Sequence, residues 1–242
     1  MANPGVEISP LAYARTAGFL VLIILACAGV GMMYVPSALF VPGDAAATAT
    51  NIKASEWLYR LGMLSDAVLF LAEVVLVVVL YRLFEPVSRT LSLVAAYARL
   101  TMTVIQGVNL LNSLAVLLVL SGAGYLSVFE RAQLEAFAML FVEAHGQVVF
   151  IWEAFFALHC FVFGYLIYTS SFVPKALGIR MVLAASAYLP ESFGNILLPQ
   201  YADVYAAIIG AAAWIGEIPF FLWLLFKGVD EQRWHERATT AS

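Results

Sequence analysis

The amino-acid sequence predicts an all-α fold: a polytopic membrane bundle of six transmembrane helices with both termini cytoplasmic. Composition is the first reason. Of 242 residues, 63% are apolar and 12% charged, and mean hydropathy is +0.92, whereas soluble domains are about 45–50% apolar and about 25% charged. Run length is the second. A hydrocarbon core about 30 Å thick needs roughly 20 apolar helical residues per crossing, and six stretches reach that length; membrane-barrel strands are shorter and alternate in polarity. The third is the placement of the bases. Arg15, Arg82, Arg89, Arg99, Lys175, Arg180, Lys227, Arg233 and Arg237 then fall on the cytoplasmic side, and only Lys53, Arg60 and Arg131 fall outside, as the positive-inside rule requires.

The first span, residues 18–40, follows Arg15. Its apolar run exceeds the roughly 7–15 residues of a signal-peptide core, so it is expected to be retained. Pro42 and the small, polar run "GDAAATATNIKASE" lead to the second span, 57–80, and "EPVSRT" leads to the third, 100–122. Before the fourth span, 147–169, residues 129–143 mix acids with an apolar face and read as a segment lying along the outer surface. "SSFVPK" precedes the fifth span, 177–198, and "PQYAD" the sixth, 204–226. Residues 1–228 form one six-helix domain and 229–242 a short mixed-charge cytoplasmic tail. "AYAR" occurs at residues 12–15 and again at 96–99, which suggests repeated helical hairpins and puts Arg99 at the inner interface, where a guanidinium can snorkel. Tyr and Trp near the span ends read as interfacial belts.

Several function classes are excluded. A net charge of −4 lacks the basic footprint of a nucleic-acid binder. Cys27 and Cys160 have no CxxC spacing, which argues against a disulfide scaffold or zinc site. Phosphate-binding glycine loops, dinucleotide fingerprints and serine-hydrolase motifs do not occur. His145 and His159 lie fourteen residues apart on one helix, yet no second helix supplies partner ligands for haem, and no HExxH is present. No metal or cofactor is expected. His159 reads as donating to a helix carbonyl and His145 as sitting at headgroup level.

Five acids fall inside the spans: Asp66, Glu73, Glu153, Glu191 and Glu217. Each charge at mid-membrane costs about 2.5–3.5 kcal/mol, so each needs a partner, a water cavity or a neutral form. Counting along the helices puts Asp66, Glu153 and Glu191 in the outer half, level with Asn109, Asn112 and Asn195, and puts Glu73, His159 and Glu217 deeper. Asp66 and Glu73 share a face with Gly62, seven residues being two turns. Thr103, Gln106 and Ser113 form a stripe with Asn109 beside it. Pro190 and Pro219 each remove a backbone donor, freeing the carbonyls of Ser186 and Ile215 and breaking two helices beside acids. These faces are expected to converge on one cavity, with Asp66, Gln106, Asn109, Glu153, His159, Glu191, Asn195 and Glu217 as ligand-binding candidates. The competing reading is structural: the same groups act as neutral, hydrogen-bonded glue between helices.

"YARTAGFLVL", "YVPSALFVPGDAAATATNIKASEWLYRLGMLSD", "LYRLFEPVSR", "FFALHCFVFGYLIYTSSFVPKALG" and "GEIPFFLWLLFKGV" together resemble the bacterial domain-of-unknown-function family numbered 4386, from about residue 13 to residue 229. The resemblance implies a small polytopic bacterial inner-membrane protein and supplies no activity. Within those segments Asp44, Asn51, Arg60, Asp66, His159 and Glu217 are the candidates for a shared role.

Three functions fit these residues. One is an intramembrane pocket for a small molecule, ion or lipid, serving transport, with a homo-oligomer expected because six spans are few for a transporter. Another is an enzyme using Asp66, Glu153, Glu191 or Glu217 as buried carboxylic acids on a lipid or isoprenoid. The last is a non-catalytic membrane partner or sensor that docks through the "GDAAATATNIKASE" loop.

Overall fold

Helices carry almost all of residues 9–241, the part of the chain that the computed structural model describes, and no strand occurs among them. Residues 1–8 of the expected domain and residue 242 of the tail lie outside the described residues. The first span is α1 (Pro10–Ala28), a π-helical turn at Gly29–Tyr34 and α2 (Val35–Leu39). Next come α3 (Ala45–Ala54), α4 (Glu56–Phe84), α5 (Arg89–Val119), α6 (Arg131–Gln147), α7 (Val149–Thr169), α8 (Lys175–Leu197), α9 (Ala202–Ile215), α10 (Glu217–Phe226) and α11 (Glu231–Ala241). Several starts are capped locally. Ser9 accepts from the Ala12 N–H at 3.2 Å, Asp44 from Ala47 at 2.9 Å and Ser88 from Leu91 at 3.3 Å, each satisfying a donor that a helix start leaves free.

Among the described residues, four helical stretches are long and apolar enough to cross a membrane: Pro10–Leu39, Glu56–Phe84, Arg89–Val119 and Arg131–Thr169. They contain the second and fourth expected spans and all but the last one and last three residues of the first and third, respectively. The fifth, α8, has 23 residues, but Pro190, Glu191 and Asn195 lower its hydropathy. The sixth divides into α9 and α10, of 14 and 10 residues. Residues 131–147 pack as α6 against α5 and α3 and run into α7 with only Val148 between, so this segment covers one end of the bundle instead of lying apart.

Polarity is arranged inside out. On α4, Leu64, Leu71, Val75 and Val78 are exposed while Asp66 and Glu73 are buried; on α5, Val104, Val108, Leu111 and Leu118 are exposed while Arg99, Thr103, Gln106, Asn109 and Ser113 are buried. A water-soluble helix does the reverse. With lipid as solvent, apolar side chains cost nothing outside and polar ones need partners within.

Two apolar layers hold the bundle. The larger, nearer the chain termini, gathers Leu76, Leu80, Phe84, Phe163, Leu166, Phe220 and Leu224. The smaller joins Val35, Leu39, Ile52, Tyr59, Val116 and Ala138 at the other end. The most extensive helix pair, α7 with α8, closes through Gly164 and Gly178: a Cβ on Gly178 would lie 2.6 Å from the Tyr168 backbone nitrogen. The tail folds back as α11, where Trp234 Nε1 donates to the Leu83 carbonyl at 2.8 Å, so this tryptophan seals a helix end instead of serving as a belt residue.

The expected proline breaks are met at one place and not at the other. α8 is helical straight through Pro190, because losing one donor does not force a break while α7 packs along the helix and Ser192 Oγ donates to the Phe150 carbonyl at 2.5 Å. The second helix does break, at Gly216 (φ −92°, ψ −85°). Pro219 cannot donate to Ile215, whose carbonyl instead accepts from Arg180 Nε at 3.0 Å. Arg180→Met is therefore expected to lower stability by about 1 kcal/mol. In a Pro219→Ala background it should cost nothing, since residue 219 then regains an N–H for Ile215; equal losses in both backgrounds, measured by thermal unfolding in detergent, would refute this account. A further break lies in the first span, where the Val35 N–H reaches back five residues to the Val30 carbonyl and Pro36 has no N–H. Sequence reading assigned no break there.

Candidate functional site

The polar residues do not converge on one cavity. They separate into three groups.

The first is centred on Arg99, which is 3% exposed and so does not snorkel. Its Nε donates to Glu73 Oε2 at 2.6 Å and its Nη2 to Glu73 Oε1 at 2.9 Å, a bidentate pair between α5 and α4. Nη1 donates to Glu217 Oε1 on α10 at 3.1 Å and lies 3.1 Å from His159 Nε2 on α7. His159 Nδ1 is 2.9 Å from the Ala95 carbonyl. A carbonyl only accepts, so Nδ1 carries the proton and Nε2 accepts from Arg99. This fulfils the expectation that His159 donates to a helix carbonyl. Phe156 and Phe163 stack on the two faces of the imidazole, and the guanidinium lies 5.6 Å from the Phe156 ring centroid and 6.0 Å from that of Phe221. Snorkelling fails because Arg99 has two carboxylates at its own depth, where an ion pair replaces the interface as a source of charge compensation. The phase of α5 carried the signal: Arg99, Thr103 and Gln106 lie at i, i+4 and i+7, one stripe.

The second group surrounds Asp66. This carboxylate is 6% exposed, and Oδ1 has no hydrogen-bond partner among the described residues. It lines a cavity of about 40 Å³ with Gly31, Tyr59, Gly62, Ser113 and His145, room for a few waters. Gly31 belongs to the π-helical turn; a Cβ there would lie 2.9 Å from Asp66 Cγ, so glycine leaves the carboxylate room against the turn. Tyr59 donates to the Ser113 carbonyl at 3.3 Å. His145 Nδ1 lies 3.3 Å from the Asn109 carbonyl and 3.2 Å from Ser113 Oγ. His145 is thus part of the cavity wall, a place that its position near the start of the fourth span did not indicate. Asn109 Nδ2 donates to the His145 carbonyl at 2.9 Å and Asn112 Nδ2 to Asn109 Oδ1 at 2.9 Å, which ties α5 to the α6–α7 junction. Gln106, one turn deeper, keeps Oε1 buried without a partner.

Glu153 and Glu191 form the third group, from α7 and α8. Glu153 is 5% exposed and within electrostatic reach of Glu191. Each has a buried oxygen without a hydrogen-bond partner. Asn195 donates to the backbone carbonyl of Glu191 at 2.8 Å, a contact within its own helix. Of the family-like positions, Asp44 caps α3, Asn51 Nδ2 donates to the Leu39 carbonyl at 3.2 Å, and Arg60 pairs with Glu56 on the surface; these shape the connection between the first two spans. Among the described residues no three His, Cys, Asp or Glu side chains form a metal-binding group.

An all-helical bundle with apolar faces outward and a charged network inside defines a polytopic membrane protein. The chain belongs to the family described as Domain of unknown function (DUF4386), whose family model matches residues 16–228. It is also similar to an uncharacterized protein of Archaeoglobus fulgidus, 25% identical over 160 residues, which covers 66% of this chain and 79% of the relative. No solved structure matches the chain.

Proposed function

We propose that the protein is a six-span inner-membrane protein with both termini in the cytoplasm that binds a small molecule or ion in the pocket at Asp66, in the service of transport. The observation that carries this reading is the Asp66 carboxylate, buried at a cavity with an oxygen that no side chain or backbone group satisfies. A structural acid would be hydrogen-bonded; an acid that has kept its cost without a protein partner is accounted for by a ligand. Two further features support it. The first span loses regular α-geometry at the π-helical turn beside Asp66 and the last breaks at Gly216, and interrupted helices are where transporters hold their cargo and coupling ions. Glu217, one of the acids an acid-catalysed lipid or isoprenoid reaction would draw on, is committed to Arg99, which favours binding over that chemistry. The bilayer is the constant partner, and a homo-oligomer is expected for so few spans.

The test is thermal unfolding of the purified protein across a panel of metabolites and ions. A ligand at 100 times its Kd stabilises by about 2.7 kcal/mol. The expected result is a saturable rise in Tm that disappears in Asp66→Asn. A panel that leaves Tm unchanged, or a shift that survives the substitution, would overturn the reading.

A further inference from the structure

We infer that the Asp66 cavity is a site for one monovalent metal cation, held by the carboxylate and by neutral oxygens. The inference rests on the pocket reading above and narrows its ligand to an alkali ion. Charge is the first argument. Among the described residues, Asp66 is the one acid lining the cavity, and the lining holds no Lys or Arg. His145 and Tyr59 are the other titratable groups there. Both face backbone carbonyls as donors, His145 through Nδ1 toward that of Asn109 and Tyr59 to that of Ser113. A single negative charge is balanced by a single positive one, and a divalent ion would leave a net charge in the membrane interior.

Size is the second argument. About 40 Å³ admits an ion with a water or two, but not a lipid headgroup or a sugar.

Donor chemistry is the third. Asp66, Ser113 Oγ and Tyr59 Oη are hard oxygen ligands of the kind that alkali and alkaline-earth ions prefer. The opposite wall adds a backbone acceptor. The Val35 N–H is taken by Val30 and Pro36 has no N–H, so the Gly31 carbonyl loses both the donor that α-geometry and the donor that π-geometry would supply. Gly31 lines the cavity. An interrupted helix that leaves carbonyls free next to a carboxylate is the arrangement in which membrane proteins coordinate sodium.

The experiment uses the full-length protein, purified in choline chloride and titrated at constant ionic strength with NaCl, KCl, CaCl2 or further choline, with Tm as the readout and equilibrium binding for stoichiometry. Na+ or K+ should raise Tm saturably with one ion per chain, and Ca2+ should not compete at equal concentration. Asp66→Asn, nearly isosteric, should abolish the shift. Gly31→Ala, which preserves the charge but crowds the carboxylate, should weaken apparent affinity at least tenfold, and Ser113→Ala should weaken it by a smaller factor, each variant's cation-induced shift being read against its own Tm in choline. That last variant keeps the test decisive if Gly31→Ala does not fold. An undiminished cation shift in Asp66→Asn, or stabilisation by Ca2+ in place of Na+ and K+, would overturn the cation site. If alkali ions do nothing but an organic ligand stabilises through Asp66, the pocket stands and the cation inference falls. If neither acts, both fall.

Discussion

Arg99→Met is expected to destabilise the protein by about 3–5 kcal/mol, the range for removing one partner of a buried ion pair. The reason is what stays behind. Glu73 loses two hydrogen bonds and its counter-charge, Glu217 loses its hydrogen bond from Nη1, and His159 Nε2 loses its donor. Glu73 and His159 are buried and Glu217 is half-buried beside them, and four helices meet there: α4, α5, α7 and α10. The triple change Glu73→Gln, Arg99→Met, Glu217→Gln removes the stranded charges and should regain most of the loss, because a buried ion pair is worth little relative to neutral groups of the same shape. Thermal unfolding of the single and triple variants in the same detergent checks this. A single variant as stable as the wild type, or a triple variant no better than the single, would show that the network does not hold these helices together.

Gly178→Ala should be the most damaging small substitution in the chain, at about 3 kcal/mol. Its Cβ would meet the Gly164 carbonyl oxygen at 2.5 Å and the Tyr168 nitrogen at 2.6 Å. Both are backbone atoms of α7, so relief requires the helices to part along their longest interface. Gly107→Ala makes the matching control. It sits inside α5 with nothing within 4 Å of a new Cβ, and there the substitution should be neutral or stabilise by about 0.5–1 kcal/mol through lower backbone entropy in the unfolded chain. The same chemical change with opposite signs is measured by Tm in one experiment; equal effects would mean that helix propensity, not the α7–α8 contact, governs both.

Much of the site was legible one helix at a time. The buried stripe of α5, the shared face of Asp66 and Glu73, and the freeing of the Ile215 carbonyl all follow from helical period and from proline chemistry, which are local. Relations between helices were not legible. Asp66 and Glu73 do share a face, but seven residues also separate them by about 10.5 Å along the axis. That is enough for each to belong to a different centre, one with the cavity and one with Arg99. The π-helical turn is not legible locally, because Pro36 lies after the turn it widens and Asp66, which the turn accommodates, lies on another helix.

The class of protein follows from the chain alone: an apolar excess over long runs, with charges too costly to face lipid, makes helices cross a bilayer and turns their polar groups inward. Which polar groups meet is fixed by the packing of the bundle. Arg99 finds Glu73 across 26 residues of chain, His159 across 60 and Glu217 across 118, while Asp66 is left facing a cavity. Hydropathy is a sum over neighbours in the chain, so it is written in the sequence. The rotation of one helix against the next is set by where glycines permit close approach and by charge pairs that form only after the helices have packed, so it is written in the assembled bundle.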